Sequence, residues 1–537
     1  MDWADELAAS VSGPQVVNDS KTPSGTVHVG SLRGPVVHDA VWRALLDHGV
    51  EAQFLYGVDD MDAMDAASLL TPDAVDRSMG VPLARVPAPE SSSALSYARH
   101  FVGNLFFPTF ARLGIRPKFY WMSDLYGSGA FDPHIRVALD RADRVREIYR
   151  TVSHVEKPAG WLPLQPICES CGRVGTTIAR DWDGETVAYE CQPHLVTWAT
   201  GCGHRGRISP FGGRATLPWN LDWAAKWSHF SVTIEGCGKD LATAGGSRDR
   251  SDAIAREVFE REPPLNVTYE FLNVGGRKMS TSKGRGAAAH TIAEVVPPEQ
   301  LRFLFLRPRP NQAIEFDPDG TDAIPRLFDE FDRIAAAAGG REVKGELPPN
   351  PRRLFALSLV DPAADIDAEA ALCRPPFLHL SLIVQAGKDP RTYFEAEKGS
   401  SLTPREQDLL RERIESVSIW LMNFAPDGAK YRVAVAALPA EAARLADEQR
   451  LCLLALARAA EMHPPATGDD WQTLVFGIAA EAGLPAGRVF GALYVAFLGR
   501  PNGPRAGWLL ASLQPAFVLE RLREAGGVRA GSRPADA

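Results

Sequence analysis

The first 110 or so residues alternate between short apolar runs and longer stretches with helical spacing. The runs Pro14–Asp19 and Phe54–Val58 are predicted to be buried strands, and Val36–His48 a helix between them. This order predicts a βαβ unit with a parallel sheet. Ligands of doubly wound sheets bind at the carboxyl ends of the strands, which is where the acidic cluster of residues 59–62 falls.

The pattern changes twice further along the chain. From Ile167 to Arg214, cysteines and glycines replace long periodic stretches, which predicts a small inserted module. Beyond residue 320 apolar residues recur at helical spacing, as in Arg405–Phe424 and Glu441–Met462, and predict an all-α C-terminal region after a linker at Glu346–Pro351.

These patterns predict an α/β protein with a Rossmann-like doubly wound parallel-sheet domain, a small inserted zinc-knuckle module and an all-α C-terminal region. The expected limits are 1–160 and 215–330 for the Rossmann-like domain, 161–214 for the module, 350–525 for the helical region and 526–537 for a disordered tail.

Length, composition and net charge limit the classes of protein to which this chain can belong. A chain of 537 residues is too long for one core, and its 45% hydrophobic residues suffice for several. No apolar run reaches the roughly 18 residues of a membrane span, and the acidic start lacks the basic region of a signal peptide. We therefore expect a soluble cytoplasmic protein without a membrane partner. A monomer is the expected oligomeric state, although no sequence pattern specifies it. A net charge of −9 argues against a general polyanion-coating protein but leaves room for a local basic face.

Four of the seven cysteines lie in the predicted module. Cys168 and Cys171 form a Cys-x2-Cys pair followed by Gly172, and Cys202 precedes Gly203 as in a second knuckle. Reduced cysteines at this spacing favour a structural Zn²⁺ site over disulfides or catalytic zinc. Cys191, His194 and His204 compete for the fourth ligand position, and Cys191 is our choice.

Two segments about 250 residues apart have the composition of phosphate-binding loops. The run from Thr22 to Ser31 contains glycines and leads from a predicted strand into a predicted helix, where free N–H groups favour anions. The run from Lys278 to Gly284 places two lysines around three small residues in a glycine-flanked loop. Together they indicate an enzyme that activates its substrate with a nucleotide.

The same two runs, His28-Val29-Gly30-Ser31 and Lys278-Met279-Ser280-Thr281-Ser282-Lys283, resemble the two signatures of class I aminoacyl-tRNA synthetases. Further segments are similar to the lysyl-tRNA synthetases of that class, namely Pro218–Trp223, Gly238–Asp240, Ala244–Ser247, Tyr269–Phe271 and Leu301–Leu304. The resemblance is strong to about residue 320 and weaker beyond. It implies that lysine is activated with ATP and Mg²⁺ to lysyl-adenylate and transferred to tRNA, whose anticodon the helical region would read.

The resemblance also implies roles for single residues. The expected catalytic residues are His28, Lys278 and Lys283. The expected ATP-binding residues are Ser24, Gly25, His28, Gly30, Ser31, Lys239, Asp240, Met279, Ser280 and Ser282. The expected amino-acid-binding residues are Asp59, Asp60, Asp62, Trp219, Leu241 and Tyr269, and the expected metal ligands are Cys168, Cys171, Cys191 and Cys202.

Three residues near the expected amino-acid pocket depart from the family pattern. Leu241 stands where a His is usual, Met61 where an aromatic residue is usual, and Asn220 where a basic residue is usual. Sites built on polar contacts discriminate strongly when one contact is lost. Two alternatives therefore remain open, a paralogue that activates another amino acid or serves a non-translational acceptor, and a non-catalytic RNA-binding protein derived from a synthetase.

Overall fold

The computed structural model describes residues 3–25, 29–66, 69–274, 277–278, 292 and 294–527. The chain forms two compact units. The first comprises Met1–Ala293, Pro298–Phe316 and Lys344–Ile366, and the second comprises Glu294–Pro297, Asp317–Val343 and Asp367–Ala537.

The strands are β1 (Gln15–Lys21), β2 (Ala52–Val58), β3 (Lys118–Trp121), β4 (Gln165–Pro166), β5 (Thr177–Arg180), β6 (Val187–Cys191), β7 (Arg205–Ile208), β8 (Ala215–Thr216), β9 (Leu272–Val274), β10 (Arg277–Lys278) and β11 (Ile314–Glu315). The α-helices of the first 322 residues are α1 (Trp3–Ser10), α2 (Arg33–Asp47), α3 (Pro72–Ser78), α4 (Tyr97–Phe101), α5 (Phe107–Arg112), α6 (Met122–Gly127), α7 (Asp132–Asp140), α8 (Ala142–Ser153), α9 (Trp219–Phe230), α10 (Ser247–Glu257) and α11 (Pro298–Leu306). The later α-helices are α12 (Ala323–Ala338), α13 (Pro351–Ser358), α14 (Ile366–Ala371), α15 (Phe377–Gln385), α16 (Pro390–Lys398), α17 (Pro404–Asn423), α18 (Asp447–Met462), α19 (Gly468–Glu481), α20 (Ala486–Leu498), α21 (Ala506–Ala511) and α22 (Pro515–Gly527).

The first unit is built on a parallel sheet, so the predicted βαβ unit is confirmed. β1 pairs along its whole length with β2, and β2 pairs with β3. On the other side of β1, single parallel bridges join Val17 to Ile234, Ile234 to Leu265, and Gly238 to Tyr269. β1 therefore has β2 on one side and bridged extended segments from later in the chain on the other, so the chain order along the sheet reverses at β1. Such a reversal opens a crevice at the carboxyl ends of the strands.

The segment after β1 forms helix α2 because its apolar residues recur at helical spacing and can be buried on the same side. Val36, Val37, Ala40, Val41 and Ala44 are all buried. The helix ends before Gly49, whose φ of +73° is a left-handed conformation that glycine adopts without strain. This packing fixes the N-terminus of α2 beside the end of β1.

The expected inserted segment forms a small antiparallel structure. β4 pairs with β8, which brings the two ends of the segment together, and β5, β6 and β7 form an antiparallel sheet between them. Buried residues of this segment, such as Ile167 and Val187, belong to the same hydrophobic cluster as Trp223 of α9. The segment is therefore anchored to the core of the first unit.

The second unit is helical, as the sequence predicts. The expected helix Arg405–Phe424 corresponds to α17, which begins with a capping box between Thr403 and Glu406. The expected helix Glu441–Met462 corresponds to α18, preceded by a 3₁₀ turn at Ala440–Arg444. Over the described ranges of the chain, no helix combines the length and apolar character that crossing a membrane requires.

The boundaries of the two compact units differ from the predicted domain boundaries. The segment Lys344–Ile366, which includes the predicted linker and α13, contacts the first unit, and Asp317–Val343 contacts the second. The predicted limits remain a prediction. Residues 528–537 of the expected disordered tail lie outside the described residues.

Candidate active site

A cavity of about 410 Å³ opens at the carboxyl ends of the parallel strands, and we call it the strand-end cavity. It is lined by Asp19, Ser20, Lys21, Thr22, Ser24, Gly25, Asp59, Asp65, Ala66, Trp219, Trp223, Glu235, Gly236, Cys237, Leu241 and Tyr269. Most of these residues come from the ends of β1 and β2, the bridged segments beside β1, and α9. The cavity therefore lies where the strand order reverses, as expected of a ligand site in such a sheet.

A buried lysine compensates the carboxylates beside this cavity. The side chain of Lys226 is fully buried, and its Nζ lies 2.6 Å from Asp59 Oδ1 and 3.3 Å from Asp222 Oδ2. It also donates to Ser20 Oγ at 3.2 Å. Burial alone would lower the pKa of Lys226, but Asp59 and Asp222 outweigh it and hold this pKa well above its ordinary value. Asp59 is thus already paired with a protein cation.

Glu235 forms a second polar network at the cavity wall. Its carboxylate accepts hydrogen bonds from Asn18 Nδ2, Trp223 Nε1 and Trp227 Nε1, each at 2.7 Å. Burial raises the pKa of Glu235 despite these donors. Three donors use most of the hydrogen-bonding capacity of the carboxylate, so the network fixes α9 against β1.

Asp60 and Asp62 have different surroundings. Asp60 is buried and accepts from the Ser123 backbone N–H at 2.8 Å and the Ser123 hydroxyl at 2.6 Å. Burial raises its pKa to about 6. Asp62 accepts from the Thr22 hydroxyl at 2.5 Å, and burial followed by the charge of Asp59 raises its pKa to about 8. Asp62 is therefore largely protonated at neutral pH.

Arg33, the first residue of α2, joins this end of the sheet to a distant part of the chain. Its guanidinium donates to the backbone oxygens of Glu270 at 2.6 Å, Pro310 at 3.1 Å and Gln312 at 2.8 Å. Burial lowers the pKa of Arg33 to about 10, so it stays charged at neutral pH. Arg33 thereby holds the segments that lead into β9 and β11.

Comparison with known proteins identifies the family. Residues 1–357 match the family model for tRNA synthetases class I (K). The chain belongs to this family.

The similarity extends beyond the matched region. The synthetase is 33% identical to "Lysine--tRNA ligase 1" of Methanosarcina acetivorans, over 98% of each chain. It is also 33% identical to "Lysine--tRNA ligase" of Archaeoglobus fulgidus, over 98% of this chain and 100% of the relative. A solved glutamate tRNA ligase from Elizabethkingia meningosepticum, 11% identical, covers 95% of this chain and 99% of its own with a TM-score of 0.40, which is too distant to bear on the substrate.

Four of the six expected amino-acid-binding residues of the synthetase line the strand-end cavity, and they are Asp59, Trp219, Leu241 and Tyr269. Trp219 and Leu241 come from α9 and the loop before α10, and Tyr269 comes from a bridged segment. A Cβ placed on Gly34 would lie 2.7 Å from the Tyr269 hydroxyl and 3.2 Å from Asp19 Oδ2. Glycine at the start of α2 is what allows this close approach.

Two of the departures from the family pattern do not face the strand-end cavity. Met61 is buried and lines a separate cavity of about 310 Å³ with Arg85 and Arg99. Asn220 donates to the Ser247 backbone oxygen at 3.1 Å and so ties α9 to α10. Leu241 is the departure that lines the strand-end cavity.

The expected ATP-binding and catalytic residues lie in different parts of the first unit. Ser24 and Gly25 line the strand-end cavity, and Gly30 and Ser31 lie in a 3₁₀ turn, Val29–Leu32, that precedes α2. Lys239 and Asp240 directly precede the cavity-lining Leu241 and are exposed. The Lys239 ammonium group pairs with Glu270. Lys278 belongs to strand β10. His28, Met279, Ser280, Ser282 and Lys283 lie outside the described residues.

The four expected metal ligands converge. The sulfurs of Cys168, Cys171, Cys191 and Cys202 lie within 4.8 Å of one another, with 3.6 Å from Cys168 to Cys202 and 3.7 Å from Cys171 to Cys191. Of the three candidates for the fourth position, it is Cys191 that joins this group among the described residues.

Sequence reasoning missed several charged groups of the site, among them Asp19, Lys21, Lys226 and Glu235. A usable signal was the unbroken polar run from Asn18 to Lys21 at the end of a predicted buried strand. A strand buried on both faces has few positions for charges unless they serve a site.

Proposed function

We propose that this synthetase is a lysine--tRNA ligase. The observation that carries the proposal is the match of nearly the whole chain to relatives named lysine--tRNA ligase. The polar cavity at the strand ends supports it, because it offers both carboxylates and a lysine to a charged amino acid.

The proposed reaction has two steps. A carboxylate oxygen of lysine attacks the α-phosphorus of MgATP, which forms lysyl-adenylate and releases pyrophosphate. A terminal ribose hydroxyl of tRNA then attacks the carbonyl carbon, which releases AMP and gives lysyl-tRNA. Neither step needs a covalent enzyme intermediate, so positioning and fixed charges supply the catalysis.

We assign substrate-binding roles in the first unit according to which residues line or adjoin the strand-end cavity. Ser24 and Gly25 would contact ATP, with Gly30, Ser31, Lys239 and Asp240 nearby. Trp219 and Tyr269 would enclose the amino acid. His28, Lys278 and Lys283 would stabilise the triphosphate and the departing pyrophosphate, together with Met279, Ser280 and Ser282. Asp59 would act through its pair with Lys226 rather than as a free partner for a substrate ammonium group.

Amino-acid-dependent ATP–pyrophosphate exchange tests the proposal. The purified protein is assayed with each of the twenty amino acids, ornithine and hydroxylysine, with and without tRNA. Exchange selective for lysine is expected. Exchange with another amino acid would instead support a paralogue of altered specificity, the second candidate function, which Leu241 in the cavity wall favours. No exchange under any condition would support a non-catalytic RNA-binding role.

We also propose that the second unit contacts tRNA. A cavity of about 550 Å³ in this unit is lined by aromatic rings, including Trp420 and Trp508, and by Arg505. The Arg505 guanidinium lies 5.0 Å from the Trp508 ring centroid. Aromatic rings and guanidinium planes are surfaces on which unpaired bases stack.

Arg505→Gln separates the tRNA step from amino-acid activation. The variant should raise the KM for tRNA and leave tRNA-independent pyrophosphate exchange unchanged. Arg444→Gln, which alters an exposed arginine of the same unit, is the matched control. Equal KM values for tRNA in the two variants would exclude Arg505 from the contact.

A structural Zn²⁺ is the third part of the proposal. Zn–S bonds of about 2.3 Å in a tetrahedron place sulfurs roughly 3.8 Å apart, close to the 3.6 and 3.7 Å separations here. Four thiolates would leave no open position, so the ion would hold the small antiparallel segment together. Metal analysis should find one zinc per chain, and Cys171→Ser should lose it and lower the Tm. A zinc-free protein with wild-type Tm would refute this part.

A further inference from the structure

Lys21 is a charged residue of the strand-end cavity to which none of the family motifs assigns a role. It is the last residue of β1, where it pairs in register with Val58 of β2. Its side chain is partly buried and lines the cavity. Within the described residues, its ammonium group has no hydrogen-bond or ion-pair partner.

Comparison with Lys226 shows that an ammonium group without a partner is unusual at this end of the sheet. The charge of Asp59 acts on both lysines, but Lys226 is held directly by Asp59, Asp222 and Ser20. A desolvated ammonium without a partner is costly, and burial lowers the pKa of Lys21 against the opposing charges of Asp19 and Asp59. A lysine kept in such a place has room for one anionic partner from a ligand.

Asp19 supplies the opposite charge two residues earlier. Side chains two apart in a strand lie on the same face, so Asp19 and Lys21 face the same side of β1. Asp19 Oδ1 accepts the backbone N–H of Ser20 at 2.8 Å, and Oδ2 lies 3.4 Å from His38 Nδ1. That Nδ1 is closer to the Gly34 backbone oxygen, at 2.8 Å, so His38 contacts Asp19 Oδ2 only weakly, and a carboxylate oxygen has lone pairs left for a ligand ammonium group.

The surrounding charges favour a carboxylate over a phosphate as the partner of Lys21. Asp19, Asp59 and Glu235 line the same cavity. They would repel the several negative charges of a triphosphate, whereas an amino acid brings one carboxylate together with ammonium groups that they attract.

We propose that Lys21 binds the carboxylate of the amino-acid substrate and that Asp19 binds one of its ammonium groups. This inference rests on the proposed function and gives it a substrate-binding residue at the atom that reacts. A hydrogen bond to a charged group contributes about 1.5–3 kcal/mol, so its loss should weaken amino-acid binding about 10- to 150-fold.

The test compares lysine with L-lysinol, in which an alcohol replaces the carboxylate. Binding of each is measured by titration calorimetry, and the KM values for lysine and ATP by pyrophosphate exchange. Lys21→Met keeps most of the side-chain volume without the charge, and Lys21→Arg keeps the charge. Lys118→Met, which alters an exposed lysine on β3, is the matched control.

Lys21→Met should lose lysine affinity by the stated factor while its lysinol affinity and KM for ATP stay unchanged. Lys21→Arg should recover part of the lysine affinity, and Lys118→Met should match the wild type. An increase in the KM for ATP alone would reassign Lys21 to a phosphate and overturn the proposal. Equal weakening of lysine and lysinol would overturn it as well.

The proposed function can fail separately. If the wild type exchanges pyrophosphate with a different amino acid, that acid and its amino alcohol replace lysine and lysinol, and the role of Lys21 is judged on them. If the wild type binds no amino acid at all, both proposals are wrong. If the wild type is active with lysine and Lys21→Met binds it normally, the role of Lys21 alone is wrong.

Discussion

Replacing Lys226 with Met should destabilise the first unit severely. The side chain is fully buried, with Asp59 at 2.6 Å and Asp222 at 3.3 Å. Its removal leaves two carboxylates in the core without a cation. Asp59 still accepts a hydrogen bond from the Ser20 hydroxyl at 3.0 Å, and Asp222 still accepts one from the Tyr126 hydroxyl at 2.7 Å. Removing one partner of a buried ion pair costs about 3–5 kcal/mol in the free energy of unfolding. At about 2–4 °C per kcal/mol, this lowers the Tm by roughly 10 °C.

Tryptophan fluorescence during heating measures this effect, because Trp223 and Trp227 lie on the same helix as Lys226. The folded-state pKa of Lys226 is raised, so its contribution is complete below its unfolded pKa and is lost only as the pH rises through the folded value. The full cost should therefore appear near neutral pH.

Two comparisons can refute this reasoning. If Lys226→Met has the same Tm as the control Lys118→Met, the ion pair does not hold the core together. The double variant Asp59→Asn with Lys226→Met should be more stable than Lys226→Met alone, because the amide that replaces the Asp59 carboxylate carries no charge to desolvate. A double variant less stable than both single variants would show that lost packing, rather than uncompensated charge, causes the effect.

Three further predictions follow from single contacts. Asp62 has a folded-state pKa of about 8, above its unfolded value of about 4, so the stability that it contributes is complete below about pH 4 and declines as the pH rises to about 8. Asp62→Asn should therefore flatten the dependence of the Tm on pH between about 4 and 8. Gly34→Ala would place a Cβ 2.7 Å from the Tyr269 hydroxyl, and should raise the KM for the amino acid in pyrophosphate exchange more than the KM for ATP. Arg33→Met would remove the hydrogen bonds to the Glu270 and Gln312 backbone oxygens. It should reduce both the hydrogen-exchange protection of residues 270–274 and the rate of pyrophosphate exchange. Intact protection would contradict the role of Arg33.

The sequence predicts the frame of the first unit well because local patterns determine it. The apolar runs of β1 and β2 and the helical spacing of α2 are readable within short windows, and a βαβ unit has few alternative arrangements. The parallel sheet and the helical second unit are confirmed for this reason.

The charges of the cavity are harder to predict, because their partners lie far away in the chain. Asn18 meets Glu235 across 217 residues, and no local pattern in one sequence pairs them. Proximity in sequence also misleads. Met61 directly follows Asp59 and Asp60 but lines another cavity, and Asn220 follows Trp219 but faces α10. Neighbouring side chains on one element point in different directions, so membership of a motif does not place a side chain in the site.

The pairing of β1 with Ile234 has a consequence for synthesis on the ribosome. β1 can pair with β2 as soon as about sixty residues have emerged, but its other side finds a neighbour only when residue 234 appears. During this interval the nascent sheet exposes an unpaired strand, the kind of surface that invites association with other chains. The cysteine-containing segment is made within the same interval, and both of its pairing strands, β4 and β8, precede Ile234 in the chain, so the segment can close before Ile234 emerges. Its early closure would shorten the effective distance that the later strand must search.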